Sequence, residues 1–233
     1  MVDSSIGGKT GVNLASGKNL VGSFKQPAYV ASDLATLATL PDAEWENGFA
    51  EIAKSALIDG AEFTEWLSNS AGELLAHDEA AVQQAIVQSL AFKARVVAHD
   101  ETEKGLRECL NYGHTFGHAL ETVAGFGSIS HGRAVAEGMR FAARLAVEAV
   151  GVSEAFVAQQ DALLDKLGLV PIASAYSADA LFDAMFSDKK ARNGELRFVF
   201  AQAPGTWETV AVDPDLVKIY LILWEQAKMS AAL

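Results

Sequence analysis

Three of the five histidines, His114, His118 and His131, fall within one short stretch of the chain. His114 and His118 are four positions apart, a spacing that on a helix puts both imidazoles on one face, a turn from each other. Gly113 and Gly117 cost such a helix stability, so their presence points to close backbone packing or a nearby ligand. The apolar residues around them turn the histidines inward, and a buried imidazole needs a partner. Two chemistries supply one. A divalent metal could take both rings, with His131 and Glu51 as the further candidates for a three-ligand site that leaves one position open. A hydrogen-bond network within the core would satisfy the same rings. The stretch lacks the Glu of His-Glu-x-x-His, which disfavours a metalloprotease. His77 and His99 stand beside acidic residues on turns expected to be exposed, and Cys109, in an apolar helical setting, reads as a structural thiol.

Helices are expected to position these groups. Asp33 caps a short helix over the following residues, and Pro41 suits the first turn of another reaching about residue 58. That second helix carries Glu51 and Lys54 three apart among Phe49, Ala50, Ile52 and Ala53, so Glu51 is a candidate buried carboxylate in need of a partner. Further helices are expected over 62–68 and Glu79–His99, with Lys93 of the latter on a solvated face. An acidic helix start over 100–108 leads into the histidine helix, which ends near Gly125. Helices follow over 133–150, 153–167, 177–187 and 214–228, with a two-stranded ribbon over 196–200 and 206–212. Residues 1–33 differ: they are rich in Gly, Ser and Asn, and carry Lys9, Lys18 and Lys25. Short strands are expected over 19–24 and 27–32. Gly7-Gly8-Lys9-Thr10 fails the Walker spacing, but a Gly-rich backbone with lysines still suits an anion. The expected fold is therefore mainly α, a helical domain over 34–233 behind a loop-and-strand segment over 1–33.

Composition narrows the function. A net charge of −12 argues against a general nucleic-acid binder, so an anionic ligand would need a local basic pocket. The sequence holds no apolar run long enough for a transmembrane helix, and its first residues do not read as a signal peptide. A single cysteine fits a reducing cytoplasm.

Ordered motifs then carry a more specific resemblance. Residues 2–13, 17–19, 26–27, 37–41, 48–54, 93–94, 100–103, 110–119, 131–132 and 188–190 resemble 3-dehydroquinate synthase, in that family's order and near its spacing. Among them are Gly48-Phe49-Ala50-Glu51-Ile52-Ala53-Lys54 and Asn111-Tyr112-Gly113-His114-Thr115-Phe116-Gly117-His118. The resemblance implies the multi-helical C-terminal domain of that fold, preceded by a loop and β segment left from an α/β nucleotide-binding domain. It implies an NAD- and metal-dependent lyase of the shikimate pathway, converting 3-deoxy-D-arabino-heptulosonate 7-phosphate to 3-dehydroquinate and phosphate.

Residue by residue, the resemblance makes Glu51, His114 and His131 the ligands of Zn²⁺ or Co²⁺. His118 then becomes an acid/base or phosphate-pocket residue, and Lys54, Lys93, Arg107, Asn111 and the Lys189/Lys190 pair fall at substrate positions. Asp3, Lys9, Lys18 and Asn19 fall near cofactor and substrate, and Thr36, Leu37, Ala38 and Thr39 at the nicotinamide-cofactor site. It also implies a small sugar-phosphate substrate and a homodimer in the intact enzyme, with neither nucleic acid nor membrane as a partner. Two departures stand out. The Gly-rich dinucleotide motif of the family's N-terminal domain is absent, so weak or no turnover is expected of these residues alone. Arg133 follows His131-Gly132 where the family usually has Glu, a charge reversal beside a metal ligand. A related sugar-phosphate cyclase and a non-catalytic metal-binding remnant are the competing readings.

Overall fold

The computed structural model of the chain describes residues 1–14, 17–103, 105–125, 127–190 and 195–231; the side chains of 13–20, 187–190 and 231 lie outside the description. Strands β1 (Lys9–Leu14) and β2 (Gly17–Phe24) form an antiparallel hairpin in which Val12 faces Val21. The hairpin lies upstream of the expected one. The partner of 19–24 is β1, and 27–32 is not a strand, since it opens on Pro27, which cannot donate to a ladder. A 3-10 turn, Leu34–Thr39, follows with Asp33 accepting from the Ala35 amide as expected of its cap.

The body is helical: α1 (Asp42–Asp59), α2 (Ala61–Asn69), α3 (Ala71–Leu75), α4 (Glu79–His99), α5 (His114–Ala124), α6 (His131–Val150), α7 (Glu154–Lys166) and α8 (Ala178–Lys190). The ribbon β3 (Arg197–Ala203) and β4 (Thr206–Ala211) and the helix α9 (Pro214–Ala231) complete it. The sequence reading differs most at 100–113. That stretch is not the start of the histidine helix: it contains a 3-10 turn, Leu106–Asn111, and then Gly113 in the left-handed region at φ 77°, so α5 starts at His114. Side-chain oxygens of Asp78, Ser130 and Ser153 cap α4, α6 and α7.

Helix α1 runs through the interior. Every residue from Phe49 to Ile58 is buried, which is why its apolar pattern is continuous rather than one-sided. Helices α5 and α6 touch backbone to backbone: a Cβ on Gly138 would overlap the Gly113 carbonyl, and one on Gly117 would lie 3.0 Å from the Ala134 oxygen. Phe116 stacks on Phe141 at 4.5 Å between ring centroids, with Trp224 edge-on. The buried Glu137 of α6 accepts from Trp224 Nε1 (2.7 Å) and pairs with Lys228 (2.6 Å), tying α9 to α6. Val2 is buried in the same core as α1 and α4. Among the described residues no helix is long and apolar enough to cross a membrane.

Candidate metal centre

Three helices converge on one carboxylate. Glu51 of α1 is 7% exposed. Its Oε1 lies 3.6 Å from His114 Nε2, at the first residue of α5, and 3.4 Å from His131 Nε2, at the first residue of α6. Ligand-capable atoms of the three residues all lie within 4.8 Å of one another. The opposite nitrogen of each ring is engaged. His114 Nδ1 is 3.0 Å from the Tyr112 carbonyl oxygen, which only accepts, so Nδ1 carries the hydrogen and Nε2 is left to donate a lone pair. His131 Nδ1 is 3.2 Å from Glu121 Oε2, with the same consequence once that ring is neutral. Glu51 Oε2 is buried and pairs with Lys54 Nζ at 2.5 Å. Two Nε2 atoms and one carboxylate oxygen, held from behind and aimed at one point, fit a divalent ion such as zinc or cobalt.

The charges around the centre are unusual for a buried site. Burial pushes the Glu51 carboxyl up, but Lys54 and the two histidines outweigh it and hold it well below its ordinary range. Burial, reinforced by Lys54, pushes His114 down to about 3. The hydrogen bond to Glu121, and then that to Glu51, lifts His131 to about 9. Lys54, 1% exposed, also faces Asp3 Oδ1 at 3.7 Å, and against the cost of burial the two carboxylates raise its pKa. Lys93 reaches the same carboxylate at 3.1 Å and donates to the Asp3 carbonyl at 2.6 Å; burial nonetheless lowers its pKa. The solvated face expected for Lys93 is therefore corrected: the N-terminal segment covers it.

The other predicted residues fall into separate groups. Arg107 is buried, donates to the Glu101 carbonyl at 2.6 Å and leaves no room for a Cβ on Gly7. Asn111 donates to Glu103 Oε1 at 2.6 Å, and Lys9 pairs with the same carboxylate. Glu103 holds a left-handed backbone, φ 57°, uncommon for a residue with a side chain. His118 is exposed; its ring centroid lies 5.3 Å from that of His114 and 6.0 Å from that of His131. It joins Glu121 and His131 in a second group of ligand-capable atoms within 4.8 Å. Thr36, Ala38 and Thr39 lie exposed on their 3-10 turn, while Leu37 lines an apolar cavity with Val2, Trp45 and Phe49. The side chains of Lys18, Asn19, Lys189 and Lys190 lie outside the described residues. Cys109 is buried, and burial pushes its thiol up to about 12, as befits an inert structural residue.

Sequence reading missed Glu121, Tyr112 and Asn47, the last of which accepts from the Gly132 amide at 2.6 Å. Glu121 had a signal: with His114 and His118 it forms an i, i+4, i+7 row on one helix face. The other two act through or upon backbone groups, which no residue pattern advertises.

Fold and site together define a helical domain with a Glu–His–His group built on a buried carboxylate and flanked by the buried Lys54. The chain belongs to the 3-dehydroquinate synthase family: the profile described as 3-dehydroquinate synthase C-terminal matches residues 48–191, and the one described as 3-dehydroquinate synthase N-terminal matches 1–47. It is 45% identical over 206 residues to the 3-dehydroquinate synthase of Rhodopirellula baltica, covering 88% of this chain and 55% of the relative. The Nitrosomonas europaea 3-dehydroquinate synthase is 45% identical over 204 residues, with the same coverage of 88% and 55%. The chain thus spans about half the length of the curated relatives it matches. Among solved structures it superposes on 2-epi-5-epi-valiolone synthase of Streptomyces hygroscopicus, with NAD⁺ and Zn²⁺ bound, at a TM-score of 0.85 and 25% identity, covering 97% of this chain and 63% of that one. A 2-deoxy-scyllo-inosose synthase complexed with carbaglucose-6-phosphate, NAD⁺ and Co²⁺ superposes at 0.84 with 28% identity, covering 94% and 63%.

Proposed function

We propose that this chain carries the metal- and substrate-binding part of a 3-dehydroquinate synthase, the enzyme that converts 3-deoxy-D-arabino-heptulosonate 7-phosphate to 3-dehydroquinate and phosphate. The convergence of Glu51 with the Nε2 atoms of His114 and His131 carries the reading. Those three residues would hold Zn²⁺ or Co²⁺, which when bound polarises a substrate hydroxyl for oxidation. The substrate bears a phosphate and a carboxylate, and Lys54, Lys93, Arg107 and Lys9 supply the cations to bind and orient them. Asn111 adds an uncharged donor. His118, exposed beside the centre, would be the acid/base that takes or returns a proton.

NAD would serve as the hydride carrier of the whole enzyme. This sequence holds no Gly-x-Gly-x-x-Gly. Its own contribution to that cofactor would be Asp3, Lys9, Lys18, Asn19 and the turn Thr36–Thr39. The identities favour dehydroquinate formation over the related cyclisations: 45% to dehydroquinate synthases against 25% and 28% to the valiolone and inosose synthases. A cytoplasmic homodimer completes the reading.

Zinc titration tests it directly. The wild-type chain is expected to bind one zinc ion, His114→Ala and His131→Ala to lose it, and His118→Ala to keep it. Loss of zinc in His118→Ala with retention in His114→Ala would overturn the ligand set.

A further inference from the structure

We infer that Glu121 is a positioning residue for the metal centre, fixing which nitrogen His131 presents; the inference rests on reading Glu51, His114 and His131 as ligands. The two histidines are held differently. The ring of His114 is keyed by a backbone carbonyl, that of Tyr112, beyond the reach of substitution. The His131 side chain is 37% exposed, against 12% for His114, so packing restrains it less. What holds it is a side chain, the carboxylate of Glu121 at 3.2 Å from Nδ1.

Glu121 is itself 6% exposed, two turns along α5 from His114. A carboxylate bonded to Nδ1 requires a hydrogen there and leaves the Nε2 lone pair for a metal, and its charge makes that lone pair more basic. The same α5 therefore delivers one ligand at its first residue and orients another on α6. A different role can be drawn from the same atoms, since His118, Glu121 and His131 also cluster within 4.8 Å and could take a second ion. A neutral imidazole has one lone pair and one N–H, so His131 cannot serve Nε2 to one ion and Nδ1 to another. With Glu51 Oε1 3.4 Å from Nε2 and Glu121 Oε2 3.2 Å from Nδ1, the two roles of Glu121 are alternatives that the test below separates.

The test is competition of the chain with a chromophoric chelator for Zn²⁺, plus the visible spectrum of the Co²⁺-loaded protein, for wild type, Glu121→Ala, Glu121→Gln and Glu137→Gln. Glu121→Ala is expected to weaken zinc binding by about 10- to 100-fold and to alter the cobalt bands. Glu121→Gln keeps an accepting oxygen without the charge, so it should fall between and recover the wild-type cobalt spectrum. It also serves where the alanine variant does not fold. Glu137→Gln, which disturbs a buried carboxylate bonded to Trp224 and Lys228, should lower the melting temperature and leave zinc affinity alone. Equal zinc affinity and cobalt spectra across wild type and both Glu121 variants would overturn this inference while leaving the ligand set standing. Two zinc ions in wild type, falling to one in the Glu121 variants, would make Glu121 a ligand and overturn it as well. No zinc in wild type would overturn both readings.

Discussion

His114 and His131 face the same carboxylate, yet their protons behave oppositely. Burial and Lys54 hold His114 neutral, down to about 3, whereas Glu121 and Glu51 hold His131 protonated up to about 9. A metal binds only the neutral ring. At pH 7.5 the metal-free chain therefore keeps a proton on His131 that zinc must displace, and binding should release about one proton. The release should fade as pH rises through about 9. The sign is consistent with linkage: a raised pKa contributes stability that is full below the ordinary histidine value near 6.5 and is lost as pH climbs to about 9. Calorimetry of zinc binding in buffers of different ionisation enthalpy measures this count, and no proton release at pH 7.5 would refute the assigned state of His131. Residue spacing alone did not reach this arrangement. It favoured His114 with His118, because only neighbours on one helix are visible to spacing, and Glu51 arrives from α1. The resemblance to a family supplied what spacing could not. Lys93 was misjudged for a similar reason: a lone lysine in a helix carries no sign that Asp3, far off in the chain, will cover it.

Helices were legible as elements because their caps and apolar patterns are local; Asp33 marks a start that the structure keeps. What was not legible is how closely the helices meet, and the site depends on it. Asn47 and Glu51 are one turn apart on α1; Asn47 takes the Gly132 amide while Glu51 faces the adjacent His131. A Cβ on Gly132 would lie 2.5 Å from Asn47 Cα and 2.9 Å from the Glu46 oxygen, both backbone atoms of α1. Gly132→Ala must push α1 off α6, at a cost of about 1–3 kcal/mol. Because Glu51 moves with α1, zinc affinity should drop along with the melting temperature. Gly48→Ala is the control on α1 itself: its Cβ would meet nothing within 4 Å, and it should raise stability by up to about 1 kcal/mol without changing zinc affinity. Unchanged zinc binding in Gly132→Ala would detach the metal centre from the α1–α6 contact.

Across the whole molecule, a net charge of −12 coexists with three buried cations, Lys54 and Lys93 on Asp3 and Arg107 on the Glu101 carbonyl. Composition reports the surface, and so it argued against polyanions as partners without revealing these buried cations. The proposed metal ligands and the groups bonded to them, Tyr112, Glu121, Asn47 and Lys54, all come from α1, from α5 and α6, or from the turn just before α5. On the proposed ligand set, metal binding is expected of these helices alone. Hydride transfer is different, because the chain spans 55% of those relatives and carries no Gly-rich dinucleotide motif. The 233-residue polypeptide is thus expected to bind one zinc per chain and to release phosphate from 3-deoxy-D-arabino-heptulosonate 7-phosphate weakly or not at all when NAD is supplied. Zinc stoichiometry and phosphate release, measured on the same preparation, separate the two properties. Turnover at the rate of a full-length relative would show that the helices and the short hairpin segment suffice for the cofactor, and zinc binding lost together with turnover would show that the centre is not self-contained.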